Sequence, residues 1–273
     1  MPHAEIGGRR LHYVRRGRGE PLLLIQGMSG THLSWGDSFL AALERRFELI
    51  AYDHRGVGHS DGVGERFAIE DLADDAAGLL RTLEIERAHV LGISMGGMVA
   101  QELALRHPDV ISTLMLGCTY CGGAEAQITD AAVVRELAAG ILSGDRERAL
   151  RTGWRFNVSR AFAAEETNYP LFKQMANALP VAVDVIMLQM QAIRAHDTSD
   201  RLAGVAAPTL VIHGSEDEML AASNGELIAR LIPGAELELL DGVGHLFWWE
   251  QPERSAALVA EHALGVAQAR AGH

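Results

Sequence analysis

Cysteine is scarce: Cys118 and Cys121 are the only two in the chain. That excludes a disulfide scaffold, and with no second C-x-x-C pair to complete a tetrad it argues against a zinc ribbon or a redox pair. No apolar run approaches the roughly 18 residues that cross a bilayer, and Met1 to Gly8 holds no apolar core of signal-peptide length. A cytoplasmic protein without a membrane partner is expected. Basic charge is also short, 24 Lys and Arg against 36 Asp and Glu for a formal charge of −12, which disfavours a nucleic-acid partner. The densest basic cluster, Arg9-Arg10 with Arg15, Arg16 and Arg18, reads as a solvated hairpin face. No internal repeat, low-complexity segment or flexible linker divides the 273 residues. No cofactor and no metal is expected, and a homo-oligomer stays open.

What the chain does have is a regular alternation of strand and helix patterns. A hairpin is expected around residues 4 to 16, a strand at 21 to 26, a helix near 36 to 45 and a strand at 47 to 52. Ala68 to Leu83 is amphipathic: Ile69, Leu72, Ala76, Leu79 and Leu80 mark one face, while Glu70, Asp71, Asp74 and Asp75 place negative charge where a helix N-terminus favours it. The alternation runs on through 88 to 117, pauses, and resumes at 209. Such a pattern predicts a mainly parallel sheet with helices on both faces, and ligands at the carboxyl ends of its strands. The pause, 122 to 200, reads as helices rich in Ala and Leu that also carry Trp154, Tyr169, Met175, Met187 and Met190.

One stretch carries chemistry. The apolar run Ala88-His89-Val90-Leu91 leads into Gly92-Ile93-Ser94-Met95-Gly96, after which Val99, Ala100, Leu103 and Ala104 recur at helical spacing until His107-Pro108. A serine on such a strand-to-helix turn is held in a strained conformation, and strand and helix cross so closely that only glycine fits two residues to either side. A serine hydroxyl is a poor nucleophile by itself, so this reading demands a histidine base and a carboxylate that orients it. After the strand Thr209 to Ile212, the loop His213-Gly214-Ser215-Glu216-Asp217-Glu218 offers three carboxylates. After Leu237 to Leu240, Asp241-Gly242-Val243-Gly244-His245 places a histidine on a glycine-bearing loop. The bland alternatives are a helix-capping serine at 94 and a hydrogen-bonded loop histidine at 245.

The order Ser, acid, His, together with Leu22-Leu23-Leu24-Ile25-Gln26-Gly27, Asp53-His54-Arg55-Gly56-Val57-Gly58-His59-Ser60, the Ser94 turn, His213 to Asp217 and Gly242 to His245, resembles the α/β-hydrolases over almost the whole chain. The likeness is to the small capped serine esterases and lactonases, the 3-oxoadipate enol-lactonase-like and cofactor-free haloperoxidase-like group. It implies an eight-stranded, mainly parallel sheet flanked by helices, with core segments 1–121 and 201–273 and a helical cap, 122–200, inserted after the sixth strand. It implies catalysis by Ser94, Asp217 and His245, with Asp217 favoured over Glu216 and Glu218, and an oxyanion hole of the Met28 and Met95 backbone N–H groups. Cys118 and Thr119, where some relatives carry the acid, offer no carboxylate. The substrate expected is a small to medium, mostly apolar ester or lactone, in a pocket drawn from Gln26, Gly27, Trp35, Trp154, Met175, Met187 and Leu246. Perhydrolysis, carbon–carbon bond hydrolysis and a hydrolase-fold ligand receptor are the alternatives. One departure stands out: Gln26 occupies a position that is usually histidine in this group.

Overall fold

The computed structural model describes residues 1–271. The described residues form one sheet of eight strands: β1 (His3–Ile6), β2 (Arg9–Gly17), β3 (Glu20–Ile25), β4 (Phe47–Tyr52), β5 (Ala88–Ile93), β6 (Ile111–Gly117), β7 (Thr209–Gly214) and β8 (Glu236–Leu240). Their spatial order is β1-β2-β4-β3-β5-β6-β7-β8. The first hairpin pairs antiparallel and β2 runs antiparallel to β4, while every pairing from β4 to β8 is parallel. Parallel strands are covered on both faces, so they need continuous apolar sequence rather than alternation. β5 and β7 are buried at all six positions each.

Helices α1 (Asp37–Leu43), α2 (Ile69–Thr82) and α3 (Met95–Arg106) follow in the first half, and α4 (Ala131–Leu142), α5 (Arg146–Asn157), α6 (Arg160–Ala164), α7 (Tyr169–Ala178) and α8 (Val183–Ala195) lie between β6 and β7. The chain ends with α9 (Ser223–Leu231), α10 (Phe247–Glu250) and α11 (Pro252–Ala271). Two cores result, one on each face of the sheet. On one face Leu72, Ala76 and Leu80 of α2 and Val99 and Leu103 of α3 pack against Leu23, Val90 and Leu114. On the other, Phe39 and Leu43 of α1 and Val259 and Ala263 of α11 close over Leu24, Leu91 and Met115. Truncating one such fully buried leucine to alanine costs about 2–5 kcal/mol. The start of α2 follows its sequence signature, with Asp71 accepting the Ala68 N–H at 2.8 Å. The inserted helices have a small core of their own, Trp154, Val158 and Tyr169. Among the described residues no single helix is long and apolar enough to cross a membrane.

Candidate active site

Ser94 sits between β5 and α3 with φ 53° and ψ −124°, a left-handed conformation that a non-glycine residue holds only when its surroundings enforce it. The enforcement is visible. Its N–H donates to Gly117 O at 2.9 Å, and its carbonyl accepts Thr119 Oγ1 at 2.7 Å. A Cβ at Gly92 would collide with Gly96 O, and one at Gly96 with Ile25 O. The glycines on either side of the turn are thus required by the crossing of strand and helix, as the sequence pattern predicts. A Cβ at Gly27 would sit 2.9 Å from the Ser94 Cβ, so the loop after β3 runs directly beside the serine.

Asp217 lies in the loop after β7 and His245 in the loop after β8. Asp217 Oδ2 accepts His245 Nδ1 at 2.7 Å, and Oδ1 accepts the N–H groups of Met219 at 2.8 Å and Leu220 at 2.9 Å. His213 Nε2 donates to Leu220 O at 2.8 Å and stands 3.1 Å from Asp217 Oδ2. Burial works against charge on Asp217, but the His245 charge and the hydrogen bonds of His213 and His245 outweigh it and hold the carboxyl well below the ordinary range. Burial likewise opposes the imidazolium, yet the Asp217 carboxylate pushes His245 well above the ordinary imidazole value. Neighbouring Glu216 is exposed and Glu218 turns outward to Arg160 Nε at 3.3 Å. Only Asp217 of the three carboxylates faces the histidine.

Ser94 and His245 line one cavity of about 260 Å³. Among the described residues Ser94 Oγ makes no hydrogen bond, and the Cys118 thiol lies against the His245 ring. Serine and histidine in a ligand-free site are commonly longer apart than in the reacting complex. The walls are mostly apolar, with Met28, Met98, Val134, Met190, Ile193 and Leu220, while Arg194 and no acidic side chain joins them. A second, more polar cleft of about 470 Å³ lies beyond Asp217, between Gln127 and Arg155, and reaches neither Ser94 nor His245.

Two backbone N–H groups are free beside the serine. Among the described residues, neither Met28 N–H nor Met95 N–H donates to a protein acceptor. The loop that presents Met28 is fixed by its neighbours: Gly27 N–H donates to Gln26 Oε1 at 3.0 Å, Gly30 N–H to Gly27 O at 3.1 Å, and Ser29 N–H to Gln189 Oε1 of α8 at 2.9 Å. Gln26 therefore does orient this loop despite replacing the histidine usual there. Its carbonyl accepts His54 Nε2 at 3.0 Å, so His54 of that glycine-rich turn braces the loop from behind, while Arg55 Nε donates to Asp75 Oδ2 at 2.7 Å and ties the turn to α2.

The expected pocket set needs correction. Trp35 is fully buried against Phe39 and Trp248 on the far face of the sheet. Trp154 belongs to the core of the inserted helices, Met175 takes the Ser34 hydroxyl on its sulfur at 3.4 Å, and Met187 is 49% exposed. Leu246 packs between two cores, and Gln26 and Gly27 shape the loop without lining the cavity. Apolar residues at helical spacing identify a packed face but not what it packs on; on α8 the cavity receives Met190 and Ile193 instead of Met187.

Sequence reading also missed Glu250. Its half-buried carboxylate accepts Ser159 N–H and Gly244 N–H, both at 2.8 Å, and Ser159 Oγ at 2.6 Å. Leu246 N–H donates to Asn157 O at 2.7 Å. The histidine loop is thereby fastened on both sides of His245 to the segment joining α5 and α6.

The family described as alpha/beta hydrolase fold matches residues 20–252. A relative of Azorhizobium caulinodans, provisionally named a carbamate hydrolase, is 30% identical over 252 residues, 90% of this chain and 92% of its own. Among solved structures, a hydrolase from Pseudomonas aeruginosa PA01 superposes with a TM-score of 0.83 at 32% identity, covering 96% of this chain and 97% of that one. The enol-lactonase from Burkholderia xenovorans LB400 gives 0.81 at 26% identity, covering 96% and 99%.

Proposed function

Because this chain belongs to the α/β-hydrolase fold family, we propose that it is a serine hydrolase that cleaves a carboxylic ester or lactone of a small to medium, mostly apolar substrate through an acyl-enzyme. The observation that carries this reading is the strained Ser94 sharing one apolar cavity with His245, whose other nitrogen is bonded at 2.7 Å to a buried Asp217. In the reaction His245 Nε2 takes the hydroxyl proton as Ser94 Oγ bonds to the carbonyl carbon. Asp217 keeps the imidazole in the tautomer that leaves Nε2 free and stabilises the imidazolium that forms. The Met28 and Met95 N–H groups receive the oxyanion, and because they are held by the backbone no reorganisation is needed when charge develops. Collapse expels the alkoxide or enolate, which takes the proton from His245. Water, deprotonated by the same histidine, then releases the acid and restores Ser94.

Residues 122–200 act in this scheme as a cap whose side chains size the pocket. The lactonase likeness and the carbamate-hydrolase name both describe attack on an acyl-type carbonyl, so a panel of nitrophenyl esters, lactones and carbamates tests the substrate class. Turnover of esters or lactones with a pre-steady-state burst supports the assignment. Tight binding of the whole panel without product release would replace the enzyme with a ligand receptor.

A further inference from the structure

Away from the catalytic cavity, four histidines from distant parts of the chain meet around one buried carboxylate. His12 comes from β2, His32 from the turn after β3, His59 from the loop after β4 and His3 from β1. The rings of His12 and His32 lie 4.8 Å apart between centres, those of His12 and His59 5.1 Å, and those of His32 and His59 6.0 Å. A metal bound about 2.0–2.1 Å from each coordinating nitrogen sits roughly 3.2 Å from each ring centre, which at tetrahedral angles separates the centres by about 5 Å. The His12 and His32 rings already stand at that spacing, and one nitrogen of each lies with one oxygen of Asp53 within 4.8 Å of one another, His59 staying outside that set.

The hydrogen bonds leave the right atoms free. His12 Nδ1 is 3.0 Å from Pro2 O, so Nδ1 carries the proton and Nε2 keeps its lone pair. His32 Nδ1 is 3.0 and 3.1 Å from the two oxygens of Asp53. Among the described residues His12 Nε2 has no hydrogen-bond partner, and a carbonyl on one ring nitrogen with the other left open is the arrangement that orients a histidine on a metal. His32 Nδ1 faces the Asp53 oxygens at close to the spacing of two donors on one ion, which takes the place of the proton between them. Asp53 is fully buried and also accepts the backbone N–H of His32 at 2.7 Å and of His59 at 3.0 Å. His3 Nε2, 3.0 Å from His59 O, braces that loop from outside.

We propose that His12, His32 and the Asp53 carboxylate form a binding site for one divalent first-row transition-metal ion of the zinc class, with His59 beside it. Two imidazoles and a carboxylate in a compact set suit Zn²⁺ over Mg²⁺ or Ca²⁺, which take oxygen ligands. The ion joins the β1–β2 hairpin to the loops after β3 and β4. The first of those loops carries Met28, so occupation tightens the frame behind it while leaving Ser94 and His245 untouched.

The test uses untagged protein stripped of metal by a chelator and titrated with Zn²⁺ in competition with a chromogenic indicator. One equivalent is bound at sub-micromolar affinity, and His12→Gln and His32→Gln each weaken it by at least about tenfold. Zn²⁺ raises the thermal midpoint of the wild type and not of the variants. Far-UV circular dichroism and the metal-free midpoint establish that each variant is folded; His32, half-buried and tied by its backbone N–H to Asp53, is the safer of the two. Binding no tighter than tens of micromolar, or undiminished binding by folded His32→Gln, overturns the site and assigns the zinc to scattered surface histidines.

Discussion

Glu250 grips Gly244 and Ser159 at once, with Oε1 accepting the N–H of each at 2.8 Å and Oε2 accepting the Ser159 hydroxyl at 2.6 Å. One half-buried carboxylate thus fixes the residue before His245 to the inserted helices. Burial pushes its carboxyl above the ordinary range, yet three donors converge on it. Glu250→Gln places an amide N–H₂ against one of these donors and leaves a buried group unpaired, at a cost of about 1–3 kcal/mol. We expect a lower thermal midpoint and a fall in kcat of at least about tenfold with KM little changed, since only the placement of His245 suffers. Unaltered kcat in a folded Glu250→Gln protein would remove it from the positioning of the histidine.

The acid assignment makes a sharper contrast. Asp217→Asn leaves the loop shape but not the charge that holds His245 in its working tautomer, and kcat is expected to drop by about 10³–10⁴. Glu216→Gln and Glu218→Gln, on side chains turned to solvent or to Arg160, should stay within about twofold of wild type. Steady-state rates on a nitrophenyl ester distinguish them, and a larger loss in Glu216→Gln would move the acid by one residue.

The pH profile follows from the same pair. His245 must be neutral to take the serine proton, and Asp217 pushes its pKa up. Activity is therefore lost as pH falls through a value above the ordinary imidazole value of about 6.5, and kcat/KM, which reports the free enzyme, is the quantity to follow. Removing the carboxylate in Asp217→Asn moves this acid limb downward. An acid limb at or below the ordinary value in the wild type would contradict the pairing.

Acyl length probes the cavity. Each added methylene buried in an apolar pocket contributes about 0.8 kcal/mol, roughly fourfold in kcat/KM, until the 260 Å³ are filled. Butanoyl and hexanoyl esters should outperform acetyl esters, with emulsified long-chain triglycerides poor substrates. A steady fall in kcat/KM from acetyl to octanoyl would indicate a small polar pocket instead.

The sheet and the loops that carry Ser94, Asp217 and His245 were legible in the sequence because their constraints are local. A continuous apolar run marks a strand covered on both faces, as at Leu22 to Ile25. The glycines at 92 and 96 record a steric collision two residues from Ser94. The pocket was not legible, since helical spacing gave Met187 and Met190 equal standing and only packing decides which faces the cavity. Glu250 follows Phe247-Trp248-Trp249 in a four-residue helix and has no local pattern to separate it from a surface glutamate. His12, His32 and Asp53 share no ligand spacing at all, and a strand and two different strand connections bring them together.

The nucleophile itself can be identified directly. After incubation with a fluorophosphonate, intact-mass measurement should show one adduct per chain, and peptide mapping should place it on Ser94. Ser94→Ala should remain unlabelled, and His245→Ala should label slowly for want of its base. Stoichiometric labelling of Ser94→Ala, or an adduct mapped to another residue, would contradict a hydrolase working through Ser94.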